Sequence, residues 1–221
     1  LLGLVLYRKE VNGRRMVLRY ATICSNAGFM GNPVVVGIYG SQGLLYASVY
    51  LIPLRIFMWS AGLSCFTVAS PKDIVKKMVH HPCIIAVVIG MALMPFPEFV
   101  PGFLLQTMQS CSKCVLPVSM IVIGSILSEA DIRKMLKGST LFYCVVRLLG
   151  IPAVTMVVCR LLGMGALVTG VCTILAGMPA GSTTAILAEK YDGDAKYASE
   201  CVFLSTVLSL FTMPLLYMIL A

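Results

Sequence analysis

Charge is scarce in this sequence, and negative charge is scarcest. Only 12% of the 221 residues are charged, nine of them Asp or Glu, whereas 59% are hydrophobic and the mean hydropathy is +0.94. A soluble domain has about a quarter of its residues charged. The composition excludes cytosolic enzymes, secreted disulfide scaffolds and nucleic-acid-binding proteins. Apolar runs of helical length, separated by short charged segments, predict an all-α multi-pass membrane protein.

No carboxylate lies at the centre of any predicted span. Glu200 comes closest, about one turn into the last helix. A proton or sodium relay built on side-chain carboxylates normally needs an acid deeper in the membrane. The sequence therefore argues against proton antiport through a buried acid, while main-chain carbonyls stay open as sodium ligands.

Motifs of intramembrane and metal-dependent enzymes are missing. Neither HExxH nor GxSxG occurs. The stretch around Asp192 and Asp194 is superficially similar to intramembrane aspartyl protease motifs, but such enzymes need two aspartates on separate helices. We predict no catalytic residue and no enzyme.

Cysteine and histidine patterns for a metal or cofactor are also weak. Cys111 and Cys114 form a CxxC without a second pair nearby, and His80-His81 is an isolated adjacent pair. Cysteines scattered through apolar segments serve as small packing residues. We predict neither a metal site nor a cofactor.

The apolar runs divide the chain into a partial first span and seven full ones. The partial span covers 1–7 and is too short to cross a bilayer, which needs about 20 residues. It is therefore read as the end of a helix that begins before Leu1. The full spans are predicted at 16–40, 43–68, 80–96, 103–127, 137–161, 165–190 and 197–220.

The predicted spans place most basic residues in one set of alternate loops. Of the 17 Lys and Arg, Arg160 alone lies in the opposite set of loops and three lie inside spans. By the positive-inside rule, the richer set of loops faces the cytoplasm of a cell membrane and Ala221 faces outward. That set holds 13 residues: Arg8, Lys9, Arg14, Arg15, Arg19, Lys72, Lys76, Lys77, Arg133, Lys134, Lys137, Lys190 and Lys196.

Two spans carry poor helix formers at their midpoints. NAGFMGNPV begins at Asn26 and interrupts the span 16–40, and GMPAGSTT begins at Gly177 and interrupts the span 165–190. Unwound backbone is tolerated at this depth only where protein or a water-filled cavity satisfies its polar groups. Half-helices beginning near Pro33 and Ser182 would direct their positive N-terminal ends to the membrane centre. Such breaks build midplane binding sites in discontinuous-helix transporters.

The interrupted spans are predicted to run in opposite directions, each as the middle member of a group of three. This is the pattern of inverted repeats. Tyr-Ala-Ser opens the following span in both groups, at Tyr46 and at Tyr197.

At these residues the sequence resembles the auxin efflux carrier family, in its bacterial branch. The resemblance rests on SNAGFMGNPV, on PVSMIVIGSIL (Pro117 to Leu127) and on the segment MPAGSTTAILAEKYDGDAKYASECVFLSTVLSLFTMPL. It implies ten helices in two inverted repeats, with a fold similar to bile-acid sodium symporters and two crossed, broken helices. This chain would then be N-terminally truncated and lack the first two helices.

The resemblance also implies a division of the chain and an activity. Residues 1–68 would supply transport-domain helices three to five, 69–136 scaffold helices six and seven, and 137–221 transport-domain helices eight to ten. A homodimer through the scaffold is possible. The family exports organic anions, so we expect efflux of small carboxylates across the bilayer. An anion channel and a sodium-coupled organic anion symporter stay open as alternatives.

Two arginines lie inside spans, at positions 55 and 147. Arginine at the bilayer centre costs roughly 2.5–3.5 kcal/mol on insertion scales, so each must face a cavity or partners. Either arginine could contact an anionic substrate or cap carbonyls at a break. Arg55 departs from the family, where a neutral polar residue is expected. The predicted substrate-binding residues are Asn26, Gly31, Asn32, Pro33, Arg55, Arg147, Pro179, Ser182 and Thr183.

Overall fold

A computed structural model of the chain describes residues 7, 10–58, 62, 65–66, 82–93, 95–96, 98, 100–127 and 138–220. Several predictions fall outside these residues. They concern most of the partial span 1–7, the end of the span 43–68, the segment with His80 and His81, and the loop with Arg133, Lys134 and Lys137.

The fold is helical, as the hydropathy pattern predicts. The described residues form nine α-helices and two π-helical turns, Ala27–Gly31 and Val146–Gly150. The α-helices are α1 Asn12–Ile23, α2 Asn32–Phe57, α3 Pro82–Leu93, α4 Gly102–Leu127, α5 Gly138–Val145, α6 Ile151–Leu161, α7 Ala166–Ala176, α8 Thr183–Lys190 and α9 Ala195–Leu220.

Three continuous segments in the described part of the chain are long and apolar enough to cross a membrane. They are Ala27–Phe57, Gly138–Leu161 and Ala195–Leu220, and α7 is a shorter apolar helix. These segments agree with a membrane protein. The count of seven full spans stays a prediction.

A sharp corner divides α2 in two. Gly40 has a φ of 63° and a ψ of −154°, which only glycine adopts without strain. The corner is tight, since a Cβ at Gly43 would lie 2.5 Å from the Cβ of Tyr39. Residues 32–39 and 41–57 therefore point in different directions. The corner coincides with the predicted boundary between the spans 16–40 and 43–68.

The interruptions occur where the sequence predicts them, with one difference. In the second, α7 ends at Ala176 and α8 begins at Thr183. In the first, α1 ends at Ile23, but the chain becomes helical again at Ala27 and passes through a π-helical turn into α2. The half-helix therefore begins about one and a half turns earlier than Pro33.

Two hydrophobic clusters hold the helices together. One joins α1, α5, α8 and α9, with Tyr20, Tyr143 and Tyr197 as its largest buried side chains. The other joins the first π-helical turn, α2 and α7, through residues such as Val35 and Leu175. The interruptions lie between these clusters, so packing on both sides fixes their positions.

Candidate functional site

The two interruptions bind directly to each other. Ser25 and Ala180 form an isolated antiparallel bridge. The N–H of Asn26 donates to the carbonyl of Pro179 at 2.8 Å, and the N–H of Gly181 donates to the carbonyl of Cys24 at 3.1 Å. Each interruption thus satisfies backbone groups that the other leaves unpaired. We refer to residues 24–31 and 177–182 together as the crossing.

Glycine residues allow the backbone of the interruptions to lie close to neighbouring side chains. A Cβ at Gly31 would lie 2.6 Å from Cδ2 of Leu175, and a Cβ at Gly181 would lie 3.2 Å from Oγ1 of Thr183. Gly31 therefore serves close packing against α7.

Arg147 fastens one face of the crossing. It lies in the second π-helical turn with only 2% of its surface exposed. Its Nε donates to the carbonyl of Met178 at 3.1 Å, and its Nη1 donates to the carbonyl of Thr22 at 3.0 Å. The guanidinium therefore joins a carbonyl from the second interruption to one from the last turn of α1. Of the two roles open to Arg147, this is the capping role.

Hydroxyl groups complete the same face. Tyr143 donates from its hydroxyl to the carbonyl of Ala21 at 3.1 Å. Ser205 accepts from the N–H of Ala180 at 3.1 Å. The sequence by itself gave no partner for Tyr143 or for Ser205. Hydroxyls inside apolar spans were the only available signal.

A cavity of about 200 Å³ opens on the other face of the crossing. Its polar lining comes from both interruptions, and its apolar lining comes mainly from α2. The lining residues are Ser25, Asn26, Gly28, Phe29, Leu51, Leu54, Arg55, Met58, Gly181, Ser182 and Thr183.

Arg55 is the charged residue in this lining. Its side chain is exposed, and its Nη2 lies 3.2 Å from the position that a Cβ would take at Gly28. The guanidinium therefore lies beside the first interruption, although Arg55 follows it by 27 positions in the sequence. Among the described residues that line the cavity there is no carboxylate, so Arg55 gives this lining a positive charge.

Main-chain amides add to this positive charge. The first N–H groups of a helix lack intrahelical partners and carry partial positive charge. Gly28 and Phe29 lie in the first turn after Asn26, while Ser182 and Thr183 start α8. All four residues line the cavity. Two helix N-termini therefore meet there, as the sequence predicts.

Asn26 has an unusual position at the junction of cavity and crossing. Its side chain is 3% exposed, and its amide Nδ2 is buried with no hydrogen-bond partner among the described residues. A buried donor without a partner costs about 1–3 kcal/mol. A ligand acceptor in the cavity would offset that cost.

The predicted site residues separate into two groups. Asn26, Arg55, Ser182 and Thr183 line the cavity. Outside that lining lie Gly31, Asn32, Pro33, Arg147 and Pro179. The prediction that the first half-helix begins near Pro33 is wrong, because the helical turn starts at Ala27. The N–H groups of Met30 and Gly31 already donate to the carbonyl of Asn26.

The residues that could have indicated an enzyme or a metal site form no such site in the described part of the structure. Asp194 accepts from Arg14 at 3.2 Å and from the N–H of Tyr197 at 2.9 Å, which ties α1 to α9. Cys111 and Cys114 are free and exposed on α4. Within the described ranges, no group of three or more His, Cys, Asp or Glu could hold a metal ion.

Comparison with known proteins identifies the family. A family model described as "Membrane transport protein" matches residues 64–217. The chain belongs to this membrane transport family. The finding confirms the auxin efflux carrier-like family expected from the sequence. The chain is therefore assigned to membrane transport.

Two archaeal relatives agree with this assignment. An uncharacterized transporter of Methanothermobacter thermautotrophicus is 30% identical over 208 residues, which cover 92% of this chain and 68% of the relative. An uncharacterized transporter of Methanocaldococcus jannaschii is 24% identical over 203 residues, which cover 88% and 65%. The chain spans about two thirds of the length of these relatives.

Proposed function

We propose that this transporter is a secondary efflux carrier for small organic anions, with its substrate site in the cavity at the crossing. The observation that carries the proposal is the combination of Arg55 with two helix N-termini around one cavity, whose described lining contains no carboxylate. Such a site favours an anion through charge-assisted hydrogen bonds.

The lining further favours an anion with one charged group and an apolar body. Arg55 supplies one cationic side chain, while Phe29, Leu51, Leu54 and Met58 supply an apolar wall. A dicarboxylate would place its second charge against that wall, where desolvation is costly. A cavity of about 200 Å³ is also smaller than the roughly 300–1,000 Å³ of usual ligand sites. We therefore expect small monocarboxylates.

The arrangement of the helices supports alternating access. The interruptions meet in an antiparallel bridge, which supports the proposed pair of inverted repeats. Both described core clusters draw their residues from 1–68 and 137–221. We propose that these two ranges move together as a transport domain against a scaffold that includes 69–136. A homodimer through the scaffold is part of the same proposal.

A thermal-shift screen tests the substrate class. Phenylacetate is a suitable probe, with phenylacetamide as its uncharged match and succinate as a dicarboxylate. We expect phenylacetate to raise the melting temperature of the detergent-purified transporter and phenylacetamide to leave it unchanged. Equal shifts with acid and amide would overturn the anion site, and a stronger shift with succinate would overturn the monocarboxylate preference.

Counterflow in proteoliposomes distinguishes a carrier from a channel. A carrier accumulates labelled acid against an internal pool of unlabelled acid, and its uptake saturates. Passive, non-saturating uptake without counterflow would instead establish the anion channel.

The orientation can be tested separately. We propose that the basic loops face the cytoplasm and that Ala221 lies outside. Single cysteines introduced at Lys76 and Lys134 should both be protected from a membrane-impermeant thiol reagent in intact cells. Labelling of one loop but not the other would rule out this topology.

A further inference from the structure

Energy coupling depends on what occupies the carbonyl groups of the crossing. Coupling cations in discontinuous-helix transporters bind to unwound carbonyls and to the C-terminal ends of half-helices. The carbonyl groups at the ends of α1 and α7, together with those between α7 and α8, would be the ligands available here. Their hydrogen bonds therefore bear on whether a sodium ion could bind.

Protein donors occupy three carbonyl groups at the C-terminal end of α1 and just after it. The carbonyl of Ala21 accepts from Tyr143, that of Thr22 accepts from Arg147, and that of Cys24 accepts from Gly181. Each of these donors belongs to the second half of the chain. Three carbonyl groups at this end of α1 are therefore hydrogen-bonded within the protein.

The second interruption shows the same pattern. The carbonyl of Leu175 accepts from the hydroxyl of Ser25 at 3.4 Å, and that of Pro179 accepts from the N–H of Asn26. The carbonyl between them, at Met178, accepts from Nε of Arg147. Arg147 is therefore the charged group that carbonyls from both half-helices share.

We propose that the guanidinium of Arg147 takes the place of a coupling cation at the crossing, so that this transporter binds its substrate without sodium. A guanidinium is permanently charged and planar, and its donors are fixed in a fork. It therefore supplies in one side chain the positive charge that two helix C-termini attract. Because Arg147 is covalently attached, it cannot leave the site as a transported ion would.

Arg147 acts in this proposal as a positioning residue. It lies outside the cavity lining and holds together the two interruptions, which carry Asn26 and Ser182 into the cavity. The consequence for sodium coupling rests on the proposed transport function. The hydrogen bonds from the guanidinium to the two carbonyls do not depend on the proposed function.

The first test uses the unmodified transporter without any organic acid. We expect its melting temperature to be the same in sodium and in potassium chloride at equal ionic strength. A saturable increase that is specific to sodium would overturn the proposal. Because no substrate is present, a failure of the anion-site proposal would not affect this result.

The second test is chemical rescue of Arg147→Ala. We expect the substitution to lower the melting temperature, and guanidinium at millimolar concentration to raise it again by several degrees. The matched control is Arg160→Ala, which removes an exposed arginine from the same helical segment and should show neither effect. An unchanged melting temperature in Arg147→Ala, or no specific recovery with guanidinium, would overturn the proposal.

Arg147→Lys keeps the test decisive if the alanine variant cannot be purified. The ammonium retains the charge but lacks the fork, so we expect an intermediate melting temperature that still does not respond to sodium. A sodium-specific increase in the lysine variant and the unmodified protein alike would show that the ion has a separate site and would overturn the proposal.

Discussion

The two faces of the crossing carry the same residue type in opposite circumstances. Arg147 is 2% exposed and donates to two main-chain carbonyls on the packed face. Arg55 is exposed and lines the cavity on the open face. From the sequence alone the two arginines had the same pair of possible roles.

The difference shows how a membrane protein can use an arginine inside a predicted span in two ways. On the packed face, the charge satisfies the negative ends of interrupted helices and holds them together. On the open face, fixed partners are fewer and a ligand can complete the coordination. In the proposed function, the same crossing supplies both the rigidity and the binding capacity of the site.

The largest expected effect separates the two faces by stability. Arg147→Ala leaves two buried carbonyls without their donor, and each such loss costs about 1–3 kcal/mol. We expect thermal and denaturant unfolding in detergent to show a loss of about 2–6 kcal/mol. Arg55→Ala should change stability by less than about 0.5 kcal/mol. Equal losses in the two variants would remove the distinction between the faces.

We expect substitution of Arg55 to weaken ligand binding strongly, although it changes stability little. Arg55→Ala removes a charge-assisted hydrogen bond, which is worth roughly 1.5–3 kcal/mol and therefore about 10- to 100-fold in affinity. The measurement is titration with the acid that the thermal-shift screen identifies. Arg55→Lys keeps the charge and should recover part of the loss. An unchanged affinity in Arg55→Ala would show that the anion binds elsewhere.

Two glycines of the first interruption sharpen the comparison. Gly31→Ala places a methyl group 2.6 Å from Leu175, and such overpacking costs about 1–3 kcal/mol. Gly28→Ala meets only the end of the Arg55 side chain, which can move. We therefore expect Gly31→Ala to lower the melting temperature and Gly28→Ala chiefly to weaken anion binding. The opposite assignment of the two effects would contradict the placement of the cavity.

The smallest expected effects come from two tyrosine hydroxyls. Tyr143→Phe removes a 3.1 Å bond to the carbonyl of Ala21 on the packed face, and we expect a loss of about 1–1.5 kcal/mol. Tyr20→Phe removes a 3.4 Å bond to Thr183 beside the cavity, and we expect about 0.5 kcal/mol. Denaturant unfolding of both variants compares the two losses. A larger loss in Tyr20→Phe would reverse the proposed order.

Local sequence patterns predicted the interruptions well. Glycine, proline and small polar residues cannot sustain a helix of full length, so the breaks near Asn26 and Gly177 follow from residues within the same segment. The exact start of a half-helix did not follow. Pro33 looks like a first helical position, yet a π-helical turn precedes it, and Gly31 in that turn packs against α7.

The sequence predicted some of the site residues and missed others. Asn26, Ser182 and Thr183 lie within or beside the interruptions and could be selected from the sequence. Tyr143 could not, because its partner lies 122 positions away. Hydrogen bonds between distant segments leave no local pattern.

By itself the sequence determined that this protein is a helical membrane transporter with two interrupted spans, because hydropathy and backbone preference act over neighbouring residues. Only the tertiary structure decided which arginine fastens the crossing and which one faces the cavity. The direction of each guanidinium depends on carbonyls and surfaces that other segments supply. For Arg147 one of those carbonyls lies 125 positions away.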